Sequence, residues 1–265
     1  IQTIALFFMM GMGMFGQGFV GKLAFPSANV SDRLEKTFTS VNFNMMIMII
    51  YALITIAIFG MWYYARYEGN FLPSPKKTFN PMMIVAIVIL VPGTQFAANF
   101  IANLTGYIRP DWLQQYNELF ETSGITDTTF VTVLYSVILA PICEELIFRG
   151  VTMRCARKAL PFALANLMQA ALFGLFHLNW IQGIYAFALG IVLGYVCERG
   201  GSIYYSMGLH LLFNLWGTLS GFFPDPGNSV VVFVIVIVVT IVSLAVGFVL
   251  FNKGRRKLPI NSTGI

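Results

Sequence analysis

Hydrophobic residues run through this chain in long blocks separated by short polar breaks. A membrane-crossing helix needs about 20 consecutive apolar residues. On that measure the blocks predict about eight transmembrane helices, near 2–21, 42–65, 81–106, 129–158, 162–179, 182–198, 202–222 and 229–252. The third block contains Pro92-Gly93 and is expected to bend there, because proline removes a backbone hydrogen bond and crowds the preceding turn. The fourth runs past the membrane at its inner end. The last is an almost uninterrupted Val/Ile/Leu run. No internal repeat or low-complexity tract interrupts the pattern. The expected fold is all-α: a polytopic transmembrane helix bundle of about eight helices. It forms a single membrane-embedded domain over 1–265, with its chemistry concentrated in about 129–222.

Composition agrees with the pattern. The chain has 265 residues, 57% hydrophobic and 10% charged, with a mean hydropathy of +0.76. A soluble domain carries about 25% charged residues, so a soluble enzyme is excluded and little length remains for a separate soluble domain. The net charge of +5 raises nucleic acid as a partner. The basic residues, however, sit in short loops and at the C-terminus, so no nucleic-acid partner is expected. Arg66, Lys76, Lys77, Arg154, Arg157, Lys158, Arg199, Lys253, Arg255, Arg256 and Lys257 fall on one side of the predicted bundle. Lys22, Arg33, Lys36 and Arg109 fall on the other, with Asp32, Glu35, Asp111, Glu118, Glu121, Asp127 and Asp225. The positive-inside rule makes the first side cytoplasmic. This predicts a multi-pass protein of the cell membrane with both termini in the cytoplasm. The longest loop, 107–128, contains Trp112, Leu113, Tyr116, Leu119 and Phe120. These residues form either an amphipathic stripe on the outer surface or part of an ordinary connector. Cys143, Cys155 and Cys197 are odd in number and imply no disulfide framework. No cleavable signal peptide is visible, and the chain opens at Ile1, as the interior of a longer sequence would.

Against this apolar background, three short motifs stand out: Glu144-Glu145-Leu-Ile-Phe-Arg149, Phe173-Gly-Leu-Phe-His177 and His210-Leu-Leu-Phe-Asn214. Ionisable residues inside membrane segments are costly and mark sites or relays. Each motif has i,i+4 spacing, which puts its polar groups on one helix face. Glu145 and Arg149 can pair, and pairing lowers the cost of holding both in an apolar setting. Glu144 is rotated by about 100° from Glu145 and points into different space. It is the candidate general base or acid. His177 reads either as a reactive imidazole or as a satisfied core residue, and Phe173 as packing. His210 and Asn214 share a face that can donate hydrogen bonds to a developing oxyanion, or simply bond neighbouring helices.

The three motifs in this order resemble the CPBP intramembrane protease family, also called Abi or CAAX-protease-like, whose relatives include the Ras-converting CAAX endoprotease. The resemblance covers about 129–222. It implies an intramembrane endopeptidase that hydrolyses a peptide bond of a membrane-associated peptide or lipid-anchored protein. In that reading Glu144 and His177 activate water, and His210 and Asn214 stabilise the oxyanion. Glu145 and Arg149, with Phe173, support the site's geometry. A metal-free, glutamate-type mechanism with no cofactor is expected. The runner-up is a zinc protease holding the metal on Glu144, His177 and His210, although His-Glu-x-x-His is absent. Cysteine catalysis through Cys143 ranks third. Non-enzymatic alternatives are a bacteriocin-immunity or peptide-binding membrane protein, and a proton-coupled transporter. The latter lacks the paired broken helices of related halves. Membrane lipids are the remaining expected partners.

Ideal-helix depths place Glu144 and His210 each about 14 Å from the inner boundary and His177 about 22 Å from it. Either the fifth helix starts deeper or its loop lies below the outer surface. The shorter depths suggest a cavity opening to the cytoplasm; Arg154, Arg157 and Lys158 either flank its mouth or only enforce topology.

Overall fold

The computed structural model describes residues 29, 32, 41–65, 79–123, 129–220 and 229–255. The predicted first span, 2–21, lies outside the described residues. Eight helices make up the described chain: α1 Val41–Tyr63, α2 Pro81–Ile108, α3 Pro110–Ser123, α4 Phe130–Arg157, α5 Phe162–Phe176, α6 Trp180–Gly200, α7 Ile203–Ser220 and α8 Val230–Arg255. The other seven predicted spans are therefore all helices, and no strand occurs among the described residues. Five helices, α1, α2, α4, α6 and α8, are long and apolar enough to cross a membrane. The chain is an integral membrane protein.

Two helices depart from the simple reading. The 107–128 loop contains a helix, α3, and part of its stripe packs against the bundle. Trp112 stacks on Trp180 at 5.3 Å, Arg109 lies over the Trp112 ring, and Leu113 covers Gly106. A bidentate hydrogen bond from Arg109 holds the Asp111 carboxyl below its ordinary pKa at the start of α3. Helix α5 has only 15 residues, or about 22 Å of rise, too short to span a bilayer. It ends because Leu178 adopts φ 53°, a left-handed conformation unusual for leucine. Asn179 then caps α6 by accepting from the Gln182 N–H. The chain thus reverses within Leu178-Asn179.

Small residues set the helix spacing. A Cβ on Gly174 would lie 2.5 Å from the Gly183 carbonyl oxygen, and one on Gly194 would lie 1.9 Å from Asn166 Oδ1. Helices α5 and α6 are therefore in near-backbone contact, as small-residue interfaces in membranes allow. Helix α8 meets α2 through Ser243, Gly247 and Gly254, while most of its Val and Ile side chains are exposed as a lipid-facing surface requires. At the expected bend, Gly93 donates its N–H to Ser243 Oγ at 2.9 Å, and Ser243 donates in turn to the Ile89 carbonyl. A hydroxyl is thus inserted into the backbone ladder beside Pro92, a recognised cause of helix kinks.

Gly174→Ala should push α5 from α6 and cost about 1–3 kcal/mol, the usual range for overpacking. Gly208→Ala meets nothing within 4 Å and should be neutral or stabilising by up to about 1 kcal/mol, the helix-propensity gain. Thermal unfolding of both variants in detergent checks the contrast, and equal losses would contradict it.

Candidate active site

Helix α4 is not a uniform α-helix. Its turns widen to π geometry at Leu134–Leu139 and Leu146–Met153, on either side of Ala140–Glu145. Such widened turns often occur at functional sites. Pro141 gives one reason for the first. In the π register, residue 141 would donate to the Ser136 carbonyl, and proline has no N–H. Asn214 fills the vacancy from α7, donating Nδ2–H to the Ser136 oxygen at 2.8 Å. No backbone group can be left unsatisfied at membrane depth, so Pro141 and Asn214 fix the register of α7 against α4.

The second widened turn begins immediately after the Glu pair. Glu145 and Arg149 are both 0% exposed. Arg149 donates Nη1–H to Glu145 Oε1 at 2.8 Å and Nη2–H to the Gly190 carbonyl at 3.2 Å. Its guanidinium carbon lies 4.5 Å from the centre of the Phe173 ring. Gln169 also donates to the Gly190 oxygen, at 2.8 Å, and to Asn166 Oδ1 at 2.7 Å; Asn166 donates to the Ile191 carbonyl. The sequence reading missed this amide pair. Its signal is two polar residues, three apart, on one face of the apolar fifth block.

His210 faces both carboxylates. Nδ1 lies 2.9 Å from Glu145 Oε1 and Nε2 lies 3.6 Å from Glu144 Oε2. A carboxylate paired with a guanidinium only accepts, so Nδ1 donates. His177 bonds through Nδ1 to the Phe173 carbonyl at 2.8 Å. A carbonyl also only accepts, so in a neutral His177 the proton sits on Nδ1 and Nε2 keeps its lone pair. Phe173 is more than packing: its ring lies edge-on to both imidazoles, at 5.0 Å from His177 and 5.7 Å from His210.

Glu144, Phe173, His177, His210 and Asn214 line one cavity of about 820 Å³. Its remaining walls come from the second half of α2, α3, the first half of α4, the start of α6 and the end of α7. All of these lie at one end of the bundle. Arg154, Arg157 and Lys158 lie at the other end, where Arg154 donates to Tyr63 Oη and Arg157 to Glu198. The expected mouth beside those three basic residues is therefore wrong. Uniform spans had placed Glu144 near the inner boundary, but the short α5 and inward-packed α3 put the open space on the opposite side.

Among the described residues, no three His, Cys, Asp or Glu side chains converge as a metal-binding group. His210 Nδ1 donates to Glu145 and His177 Nδ1 to a carbonyl, which leaves Nε2 of each ring free.

Residues 126–216 match the family model described as Rce1-like, type II CAAX prenyl endopeptidase Rce1-like. Over that segment the chain is similar to this CAAX-protease-like family. The matched segment contains all three motifs and the whole buried charge cluster. No curated protein and no solved structure matched the chain.

Glu145→Ala or Arg149→Ala strands a buried charge and should cost about 3–5 kcal/mol. A Glu145→Leu/Arg149→Leu double variant should recover part of that loss. The readout is chemical or thermal unfolding of the purified proteins, and single variants as stable as the parent would refute the cluster's role.

Proposed function

We propose that this protein is an intramembrane endopeptidase that hydrolyses a peptide bond of a membrane-associated peptide or lipid-anchored protein. One observation carries the reading: polar residues from α4, α5 and α7 meet at one cavity within a membrane bundle, and His210 faces both motif glutamates. Glu144 takes the proton of a water as general base. His177 offers Nε2 as an acceptor to the same water, with its tautomer set by the Phe173 carbonyl. The tetrahedral oxyanion forms near His210 and Asn214. His210 donates through Nε2–H when doubly protonated, and Asn214 through the amide hydrogen that Ser136 does not use. Glu145 and Arg149 keep His210 in place. The proton on Glu144 then passes to the leaving amine.

Glu144→Ala and His177→Ala should each reduce turnover of a cleaved peptide by several orders of magnitude while the proteins stay folded. Members of a cooperating pair are not separable contributors. Turnover within a few-fold of the parent in either variant would end the assignment. Activity should also survive exhaustive chelation, with elemental analysis showing no stoichiometric zinc. Loss on chelation and recovery with zinc would favour metal-dependent hydrolysis.

The charge distribution supports placing Arg154, Arg157, Lys158, Arg199 and Lys253 at the cytoplasmic face. The cavity then opens outward, and substrates reach it from the outer leaflet or the exterior. Single cysteines at Ala102 and Thr218, on a background lacking Cys143, Cys155 and Cys197, should react with an impermeant maleimide added outside intact cells. Labelling only after the cytoplasmic face is exposed would reverse the orientation.

A further inference from the structure

The α2 wall of the cavity carries a group that the chemistry above does not use. Gln95 lines the cavity, yet its side chain is only 7% exposed. Its Oε1 is buried and accepts no hydrogen bond, and its Nε2 makes one long contact, 3.4 Å to Asn99 Oδ1. A carbonyl left without a donor is costly in an apolar setting, and most of α2 is built from residues that avoid that cost. Asn99, one turn on, lines the same wall. Across from it is Gly217 on α7, where a Cβ would come within 3.9 Å of Gln95 Nε2. Asn214 and Thr218 line the cavity on the same stretch of α7. The Gln95 amide is thus at the passage between α2 and α7, about one helical turn beyond the motif asparagine.

The spacing matches a particular ligand. Residues four apart on a helix are separated by about 6 Å of rise. An extended peptide repeats its sideways N–H and C=O groups every second residue, about 6.6 Å. A primary amide offers both a donor and an acceptor, so successive amides on a helix can pair with successive peptide groups. Among the described residues lining the cavity there is no Lys or Arg, so this wall suits a neutral peptide group and not a terminal carboxylate.

We propose that Gln95 and Asn99 form a main-chain subsite. It hydrogen-bonds the backbone of an extended, locally uncharged peptide segment between α2 and α7 and sets the register of the scissile bond against Glu144. Gln95 Oε1 accepts the substrate N–H. This inference rests on the endopeptidase reading of the cavity, but binding tests it without turnover.

The probe is a library of N-acetylated, C-amidated octapeptides of Ala, Leu, Phe, Ser and Gly. Retention is measured on Glu144→Gln protein in detergent, with Gln95 present or replaced in Gln95→Leu. Retention of the best-held peptides should fall about tenfold in the leucine variant, the scale of one or two lost hydrogen bonds. N-methylation at one peptide nitrogen should cost the Gln95 protein about as much and the leucine variant nothing. The leucine variant should unfold at the same temperature as its parent or higher, because a buried unbonded carbonyl has gone; a packing role for Gln95 predicts a fall. Equal retention by the two proteins, an equal N-methyl penalty in both, or a lowered unfolding temperature would overturn the subsite. Failure of the endopeptidase reading itself would show separately, as absent turnover with Glu144 and Gln95 both intact.

Discussion

A guanidinium with no exposure inside a membrane bundle has few ways to exist, and the structure is arranged around the one found here. Arg149 has a carboxylate on one side, a carbonyl on another and an aromatic face beneath it. Each partner comes with its own requirement. The Gly190 carbonyl is reachable because α5 and α6 approach through glycines, and Gln169 shares that oxygen. The Phe173 ring can sit beneath Arg149 because α5 is held at that distance. Glu145 then uses the same oxygen to hold His210, which fixes α7. An ion pair in low dielectric contributes little net stability over an apolar pair. Its effect here is on specificity: the bonds of Arg149, Glu145, Gln169 and His210 tie α4, α5, α6 and α7 into one mutual placement.

The distortion of α4 adds a second, independent tie. Pro141 leaves the Ser136 carbonyl without its backbone donor, and Asn214 supplies one from α7. His210 and Asn214 are four apart and bond to α4 on either side of Glu144. Register slippage of α7 would break a charged hydrogen bond at one point and strand a carbonyl at the other. The residues read as oxyanion donors thus also fix the helix that carries them. A variant at either position alters geometry and electrostatics together.

Much of this was legible in the sequence, for identifiable reasons. Span positions follow from the cost of exposing backbone and charge to lipid, which leaves long apolar blocks. The Glu145–Arg149 pair follows from i,i+4 spacing and survives the π turn that begins between them. Other features left little trace. A π turn has no residue signature beyond Pro141. Hydropathy makes 162–179 look like a complete span, whereas the positive φ of Leu178 ends α5 at Phe176. Depth estimates that assumed full spans consequently put the cavity mouth at the wrong end. The stripe of Trp112, Tyr116 and Leu119 was readable as amphipathic, but its apolar face meets Trp180 and the cavity as well as any lipid. Gln95 and Asn99 were passed over because scattered amides in an apolar helix look incidental until the opposing wall is known.

The two ends of the bundle differ in the way that the proposed hydrolysis would require. At the basic end, hydrogen bonds lace the helices together: Arg154 to Tyr63, Arg157 to Glu198, the Asn80 side chain to the Gly254 carbonyl, and the Asn80 N–H to the Tyr205 hydroxyl. At the other end the helices part around the cavity, and its walls carry amides and hydroxyls from Gln95, Asn99, Thr132, Ser136, Gln182 and Thr218. Those groups can solvate a water file and a peptide backbone, which lipid cannot. Neutral polar side chains serve this better than charged ones: they hydrate the path without competing with Glu144 for protons or with Glu145 for Arg149. The charge cluster is buried beneath the cavity floor and leaves Glu144 as the carboxylate, and His177 and His210 as the imidazoles, lining the cavity among the described residues. Separating a buried charge pair from a carboxylate that faces the cavity, one residue apart on the same helix, is what the Glu-Glu sequence accomplishes.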